Sequence, residues 1–192
     1  MFPMFQGSKQ LVETLDSCVA LGEPQAIADT MQARLSELIL SGAIRLPDEL
    51  REPANGHYAR RLLYRSPRWG YVVVAMVWGP GQATPLHDHA GTWCVEGVLE
   101  GRIQVTRYDL KERDQSLCRF ERHETLYTGI GTAGALIPPF EYHTLANDRS
   151  RRSSITIHVY GEDMQACTIF EPQEREGWYR EQVKPLSYDR VA

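Results

Sequence analysis

From Tyr58 to Phe170 the chain is a succession of short β-type runs separated by turn residues, and this constrains the fold more than any other feature. Tyr58–Tyr64 alternates imperfectly, Ser66-Pro67-Arg68 makes a turn, and Tyr71–Trp78 is a continuous apolar run. Residues 97–108 form a further run, and strands are predicted at 117–121, 125–127, 134–137, 153–160 and 166–170. Many short strands in one chain leave long open edges unless the sheet closes or doubles. The pattern therefore predicts a mainly β fold, an antiparallel barrel or double sheet.

Before the strands, residues 8 to about 42 read as two helices. Ser8 is the expected N-cap of the first, which carries Leu11, Leu15, Cys18 and Val19 at helical spacing and breaks at Gly22-Glu23-Pro24. The second begins near Pro24, presents Ile27, Met31, Leu35, Leu38 and Ile39 on one face, and stops at Gly42. These helices are expected to cap the barrel and to carry no chemistry. At 192 residues and 42% hydrophobic content, one domain is expected, with a helical segment over 1–50, a barrel core over 58–170 and a mixed, polar tail over 171–192. In the tail, Trp178, Tyr179 and Tyr188 are expected anchors against the barrel wall.

A net charge of −4 supplies no basic footprint for nucleic acid or an anionic membrane. No apolar run approaches the ~20 residues of a membrane span, and the Met1–Gly7 stretch lacks a signal peptide's charged start and apolar core. Cys18, Cys94, Cys118 and Cys167 are scattered without a CxxC, so neither a zinc knuckle nor a disulfide scaffold is indicated. The expectation is a cytoplasmic protein, a monomer or weak homo-oligomer, that acts on small molecules.

The chemistry concentrates around Trp78-Gly79-Pro80-Gly81 to Cys94. If this stretch is extended, His87 and His89 share one face and reach one metal ion, while Asp88 points away. The expected third ligand is His143, delivered by the turn at Pro138-Pro139, with Asn147 four residues on. Here the chain resembles the cupin superfamily. Gly81-x5-His87-x-His89-x4-Cys94-x6-Gly101 follows the first cupin motif, and the segment around His143 and Asn147 is similar to the second. It departs from the pattern at Cys94, where the first motif usually has glutamate, and at Thr132 and Phe140, where the second usually has glycines. The resemblance implies a cupin jelly-roll barrel behind N-terminal α-helices. Without the motif glutamate, it implies a neutral three-histidine centre with positions left for substrate and oxygen.

In Ser153–Gly161, alternation places Thr156, His158 and Tyr160 on one face and Ile155, Ile157 and Val159 on the other. Alternation alone leaves open whether the polar row lines the interior or a solvated face. Tyr58 to Cys167 resembles cysteine dioxygenase, the thiol dioxygenase branch of the cupins, and this favours the interior. The resemblance implies that His87, His89 and His143 hold Fe(II) and that Thr156, His158 and Tyr160 stand for its Ser-x-His-x-Tyr triad. It also implies that Cys94 stands where some members carry a cysteine joined to the triad tyrosine by a thioether. Tyr58-x-Arg60 matches the segment whose arginine binds the substrate carboxylate in cysteine-specific enzymes, where mercaptopropionate-type enzymes carry glutamine. Cys167 matches a cysteine near the pocket mouth. The implied activity is oxidation of L-cysteine by O2 to cysteine sulfinate. Another thiol carboxylate (mercaptopropionate or mercaptosuccinate) or a non-catalytic cupin binding module are the alternatives. Cys18 and Cys118 read as small buried apolar residues, His57 and His123 as surface residues, and Trp78 and Trp93 as core.

Overall fold

Proline at the first helical position and glycine just past the last explain why residues 24–40 make a helix with sharp ends. In the structure, a computed structural model that describes residues 5–149 and 151–189, this helix α2 spans Pro24–Leu40, and Gly42 takes φ 68° just beyond it. The first helix, α1, spans Ser8–Val19. Its N-cap is Gly7, at φ 81°, with no side-chain cap hydrogen bond, so Ser8 is the first helical residue rather than the cap expected of it. Met1–Met4 and the tail from 190 onward lie outside the described residues.

The strands follow as β1 (Ala59–Arg65), β2 (Val72–Trp78), β3 (Leu86–His87) and β4 (Cys94–Glu100). Two long strands, β5 (Arg102–Asp114) and β6 (Leu117–Gly129), form a hairpin, and β7 (Ala133–Leu136), β8 (His143–Ala146), β9 (Ser154–Tyr160), β10 (Ala166–Pro172) and β11 (Trp178–Pro185) complete the set. The expected run over 97–108 is broken at Gly101, whose φ of 77° turns β4 into β5. A Cβ there would sit 2.4 Å from the Ser154 hydroxyl oxygen. The two strands expected at 117–121 and 125–127 are one strand, and the tail contributes β11, which pairs with β10 and β6 and is part of the barrel wall.

One sheet has the order β1-β2-β9-β4-β7, and the remaining strands close in the order β10-β11-β6-β5-β8-β3. The architecture is the mainly β barrel with N-terminal helices that the strand pattern predicts. The five-stranded sheet is buried on both faces. Val73, Ala75, Val77, Ile155, Ile157 and Val159 meet the two helices on its outer face. Val72, Val74, Met76, Trp78, Cys94 and Tyr160 meet Ile103, Val105 and Leu145 from the opposing sheet on its inner face. Helix α2 lies so close to β4 that a Cβ on Gly97 would sit 2.8 Å from Ile39 Cδ1. This double burial settles the alternation in β9: every residue of the strand is buried, and the row Thr156, His158, Tyr160 faces the interior. No helix among the described residues is long and apolar enough to cross a membrane.

Candidate metal centre and substrate pocket

Short strands at one end of the barrel deliver the histidines. His87 ends β3 and pairs directly with His143 at the start of β8. The Thr84 hydroxyl accepts from the Leu145 N–H at 2.9 Å, and Asn147 Nδ2 faces the carbonyls of Trp78, Gly79 and Arg152, so the loop before His87 is clamped to β8. His89 sits in the turn after β3. Asp88 Oδ1 accepts from the N–H groups of Ala90 at 3.1 Å and Thr168 at 2.8 Å, which fixes that turn against β10. One ligand atom from each of His87, His89 and His143 lies within 4.8 Å of the others.

The donor set fits a metal ion. His87 Nδ1 lies 3.0 Å from the Pro85 carbonyl and His143 Nδ1 lies 3.0 Å from the Glu141 carbonyl. A carbonyl only accepts, so each Nδ1 carries the proton and each Nε2 keeps a free lone pair, the outer-sphere arrangement usual for metal-bound imidazole. His143 Nε2 is buried without a hydrogen-bond partner, as is His89 Nδ1. Burial pushes all three imidazoles below the ordinary histidine range, with added repulsion from neighbouring histidines at His89 and His143. They remain neutral, as ligation requires.

Facing the cluster is the polar row of β9. Trp78 Nε1 donates to Thr156 Oγ1 at 2.9 Å, and that oxygen lies 2.7 Å from His158 Nε2. His158 Nδ1 lies 3.4 Å from the Tyr160 hydroxyl. Burial, then the charges of Arg60 and His87, lower the His158 pKa to about 3. Cys94 on β4 is directly opposite Tyr160 on β9. Burial raises both well above their usual ranges, and each is pushed further by a neighbouring group, Glu96 for the thiol and Cys94 for the phenol.

Arg60, Tyr58 and Cys167 line one cavity together with His87, His89, His158 and Tyr160. Arg60 is 6% exposed. Its Nη1 donates to the Ser187 carbonyl at 3.1 Å, its guanidinium lies over the Tyr188 ring, and its backbone N–H donates to Asp189 at 2.8 Å. Of the remaining candidates, Cys94 meets this lining through Tyr160, Thr156 through His158, and His143 through His87 and His89. Tyr58 packs on Trp78, with ring centroids 4.6 Å apart. His57 and His123 are exposed, with Asp189 and Asp109 as their partners, and Cys18 and Cys118 are buried.

Two residues at this end escape a reading by motif. Lys184 lines the same cavity from β11 and lies across from Cys167 in the β10–β11 ladder. Glu96 faces inward from β4, two residues after Cys94, with Oε2 3.4 Å from His158 Nδ1 and 4.0 Å from His143 Nε2. Burial raises its pKa to about 7, against the opposing pull of Arg107. A carboxylate therefore stands beside the cluster although the motif position holds Cys94, which corrects the expectation of a centre with no acidic neighbour. An acidic residue at even spacing from Cys94 inside an apolar strand was the available signal.

Residues 55–173 match the family model described as Cysteine dioxygenase type I. The chain is 21% identical to cysteine dioxygenase type 1 of Danio rerio over 108 residues, covering 52% of this chain and 49% of that protein. The Rattus norvegicus protein of the same name is 19% identical over 99 residues, with 52% and 48% covered. The chain thus aligns with about half the length of these curated relatives. Among solved structures it is similar to an uncharacterized conserved protein with a double-stranded β-helix domain from Klebsiella pneumoniae. That similarity has TM-score 0.47 and 19% identity, with 63% of this chain and 85% of that chain covered.

Proposed function

Because the chain belongs to the cysteine dioxygenase type I family, we propose that it oxidises a small thiol carboxylate with O2 to the sulfinate at an iron(II) held by His87, His89 and His143. The favoured substrate is L-cysteine. The observation that carries this reading is one cavity lined at once by His87 and His89 of the histidine cluster, the buried Arg60, and His158 and Tyr160 of β9. Iron(II) bound there supplies the redox activity that lets triplet dioxygen react with a closed-shell thiolate, which zinc does not.

The remaining work falls to this chain's own side chains. Arg60 holds the substrate carboxylate by a charge-assisted, potentially bidentate pair, and its hold on Ser187 and Tyr188 fixes the guanidinium before substrate arrives. Tyr160 donates its hydroxyl proton toward the bound substrate, and His158 fixes the ring's neighbourhood. Met76, Leu145 and Met164 line the same cavity and keep bulk water from the reacting sulfur. Overall one thiol and one O2 give one sulfinic acid, with both oxygen atoms on sulfur, the second rung of thiol oxidation. Four cysteines, all unpaired, support work in a reducing, cytoplasmic setting.

Lys184 favours a second reading within the same class. Among the described residues it has no ion pair, and it lines the cavity with Arg60. A thiol with two carboxylates, such as mercaptosuccinate, would engage both cations. Oxygen uptake by the iron-loaded protein, on separate addition of L-cysteine, mercaptopropionate and mercaptosuccinate, tests both readings. Thiol-dependent uptake with cysteine fastest is expected. Fastest uptake with mercaptosuccinate would transfer the substrate assignment to the second reading, and no uptake with any thiol would leave a non-catalytic cupin module.

A further inference from the structure

A second cavity lies behind the histidine cluster, between the two sheets of the barrel, and the proposed chemistry gives it no task. Val98 of β4, Ile103 and Val105 of β5, Leu126 of β6 and Leu145 of β8 line it. It measures about 80 Å³, where one water-sized molecule needs about 10–15 Å³. Its existence traces to β7. Gly134 is directly opposite Glu96 in the β4–β7 ladder, and paired residues share a face, so this position faces inward with no side chain to fill the space. A Cβ there would meet nothing within 4 Å.

Most polar groups on its wall are committed elsewhere. Thr128 Oγ1 donates to the Ile103 carbonyl at 3.0 Å, and Thr156 Oγ1 is engaged by Trp78 and His158. Arg107, the cation on this wall, is paired with Glu124 at 3.3 Å. The space that remains suits a small uncharged guest, whereas a thiol carboxylate would lose its hydration without gaining a partner. The two ends lie where a route needs them. Leu126 is 40% exposed, which brings the outer end to the surface. At the inner end Glu96 Oε2 is 4.0 Å from His143 Nε2, and Leu145 lines both this cavity and the front one that contains Arg60.

We infer that the rear cavity is a dioxygen site and the route by which the gas reaches the metal centre, with Leu145 as the partition. The thiol enters by the front cavity, where Arg60 and Lys184 meet its charge. Separate entrances let both reactants be present together, because a thiol carboxylate seated on Arg60 fills the front. Buried side chains still hop between rotamers, and one such movement of Leu145 passes a two-atom gas. That the gas is consumed rests on the proposed thiol oxidation; that the cavity takes it up and delivers it does not.

The test uses the full-length protein and begins with xenon, an apolar probe. Crystals pressurised with xenon should show it among Val105, Leu126 and Leu145; ordered water there and no xenon overturns the inference. Gly134→Leu fills the space from a strand position that gains from a side chain, and should remove the xenon. Leu126→Trp, at the surface end, narrows the mouth and serves if the first variant does not fold. With iron(II) bound, cysteine present and oxygen excluded, nitric oxide should reach the metal about fivefold more slowly in either variant, because the gas must then wait for a side chain to move. KM for O2 should rise in step while KM for the thiol stays within about twofold. Unchanged arrival of nitric oxide in a variant that has lost its xenon site makes the cavity a dead end and overturns the inference. Equal rises in the two KM values also overturn it, since they report a disturbed centre. If the wild type oxidises no thiol, the dioxygenase reading fails while xenon and nitric oxide still decide the route.

Discussion

Cys94 and Tyr160 stand directly opposite one another on β4 and β9, both buried, and Tyr160 lines the cavity that His87 and His89 also line. Neighbouring inward side chains in such a pair are within reach of each other. We expect a thioether to form between them when the iron-loaded protein turns over. Joining sulfur to the ring removes two hydrogens, so intact mass should reveal a species lighter by about two mass units. It should vanish in Cys94→Ser, and activity should fall without being abolished. A complete loss would make the cysteine essential and not accessory.

His143 is fully buried, and its Nε2 has no hydrogen-bond partner. His143→Ala should leave a barrel with normal circular dichroism and a large loss of bound iron. Normal iron content in this variant would remove His143 from the ligand set.

Arg60 lines the cavity while its guanidinium is held by Ser187 and Tyr188. Removing one partner of a partly desolvated charged pair costs about 2–5 kcal/mol, so Arg60→Gln should lower kcat/KM for cysteine by roughly 30-fold or more. Mercaptopropionate should lose less. Equal losses would mean that Arg60 shapes the pocket without reading the carboxylate.

The segment that carries Tyr188 is tied down by Asp163, which accepts from the Tyr188 hydroxyl at 2.6 Å and pairs with Arg65. Although burial opposes it, bonding to Tyr188 and Arg65 holds the Asp163 carboxyl below its ordinary value of 3.8. A depressed carboxyl contributes stability above its unfolded pKa and loses it as pH falls through the lower folded value. Hydrogen exchange in residues 186–189 should therefore speed up as pH drops below about 3.8, after correction for intrinsic rates. Asp163→Asn should show faster exchange at neutral pH and a raised KM for the thiol. Unchanged exchange would mean that Tyr188 is held by packing alone.

Residues whose neighbours repeat a clear period were legible from sequence. The strictly alternating Ile155–Tyr160 run, the His-x-His pair and the Pro24–Gly42 helix each carry their own geometry. The alternation of β9 could not say which face was inward until the two helices were seen to cover Ile155, Ile157 and Val159.

The outer half of β5, beyond Tyr108, and the join at 122–124 of β6 hid because charged residues occupy both faces. There the ladder is accompanied by surface ion pairs such as Arg119–Glu112 at 3.5 Å and Lys111–Glu121 at 3.6 Å, and no apolar alternation appears. β11 hid for the same reason, since Arg180, Glu181 and Lys184 interrupt any period. With it went Lys184. Glu96 was missed because the motif directs attention to the position of Cys94, whereas the strand repeats its inward face two residues later. Ser8 as a cap failed because Gly7, already at positive φ, turns the chain into the helix one residue earlier.

The central claim is that the histidine cluster, Arg60 and the β9 row add dioxygen to a thiol. Its most direct measurement is the mass of the product formed by the iron-loaded protein from L-cysteine under ¹⁸O2 in ordinary water. The account predicts a sulfinate with both oxygens labelled, about four mass units above the unlabelled product, and no labelled product from His143→Ala. A disulfide in place of the sulfinate, or a sulfinate whose oxygens come from water, would contradict it.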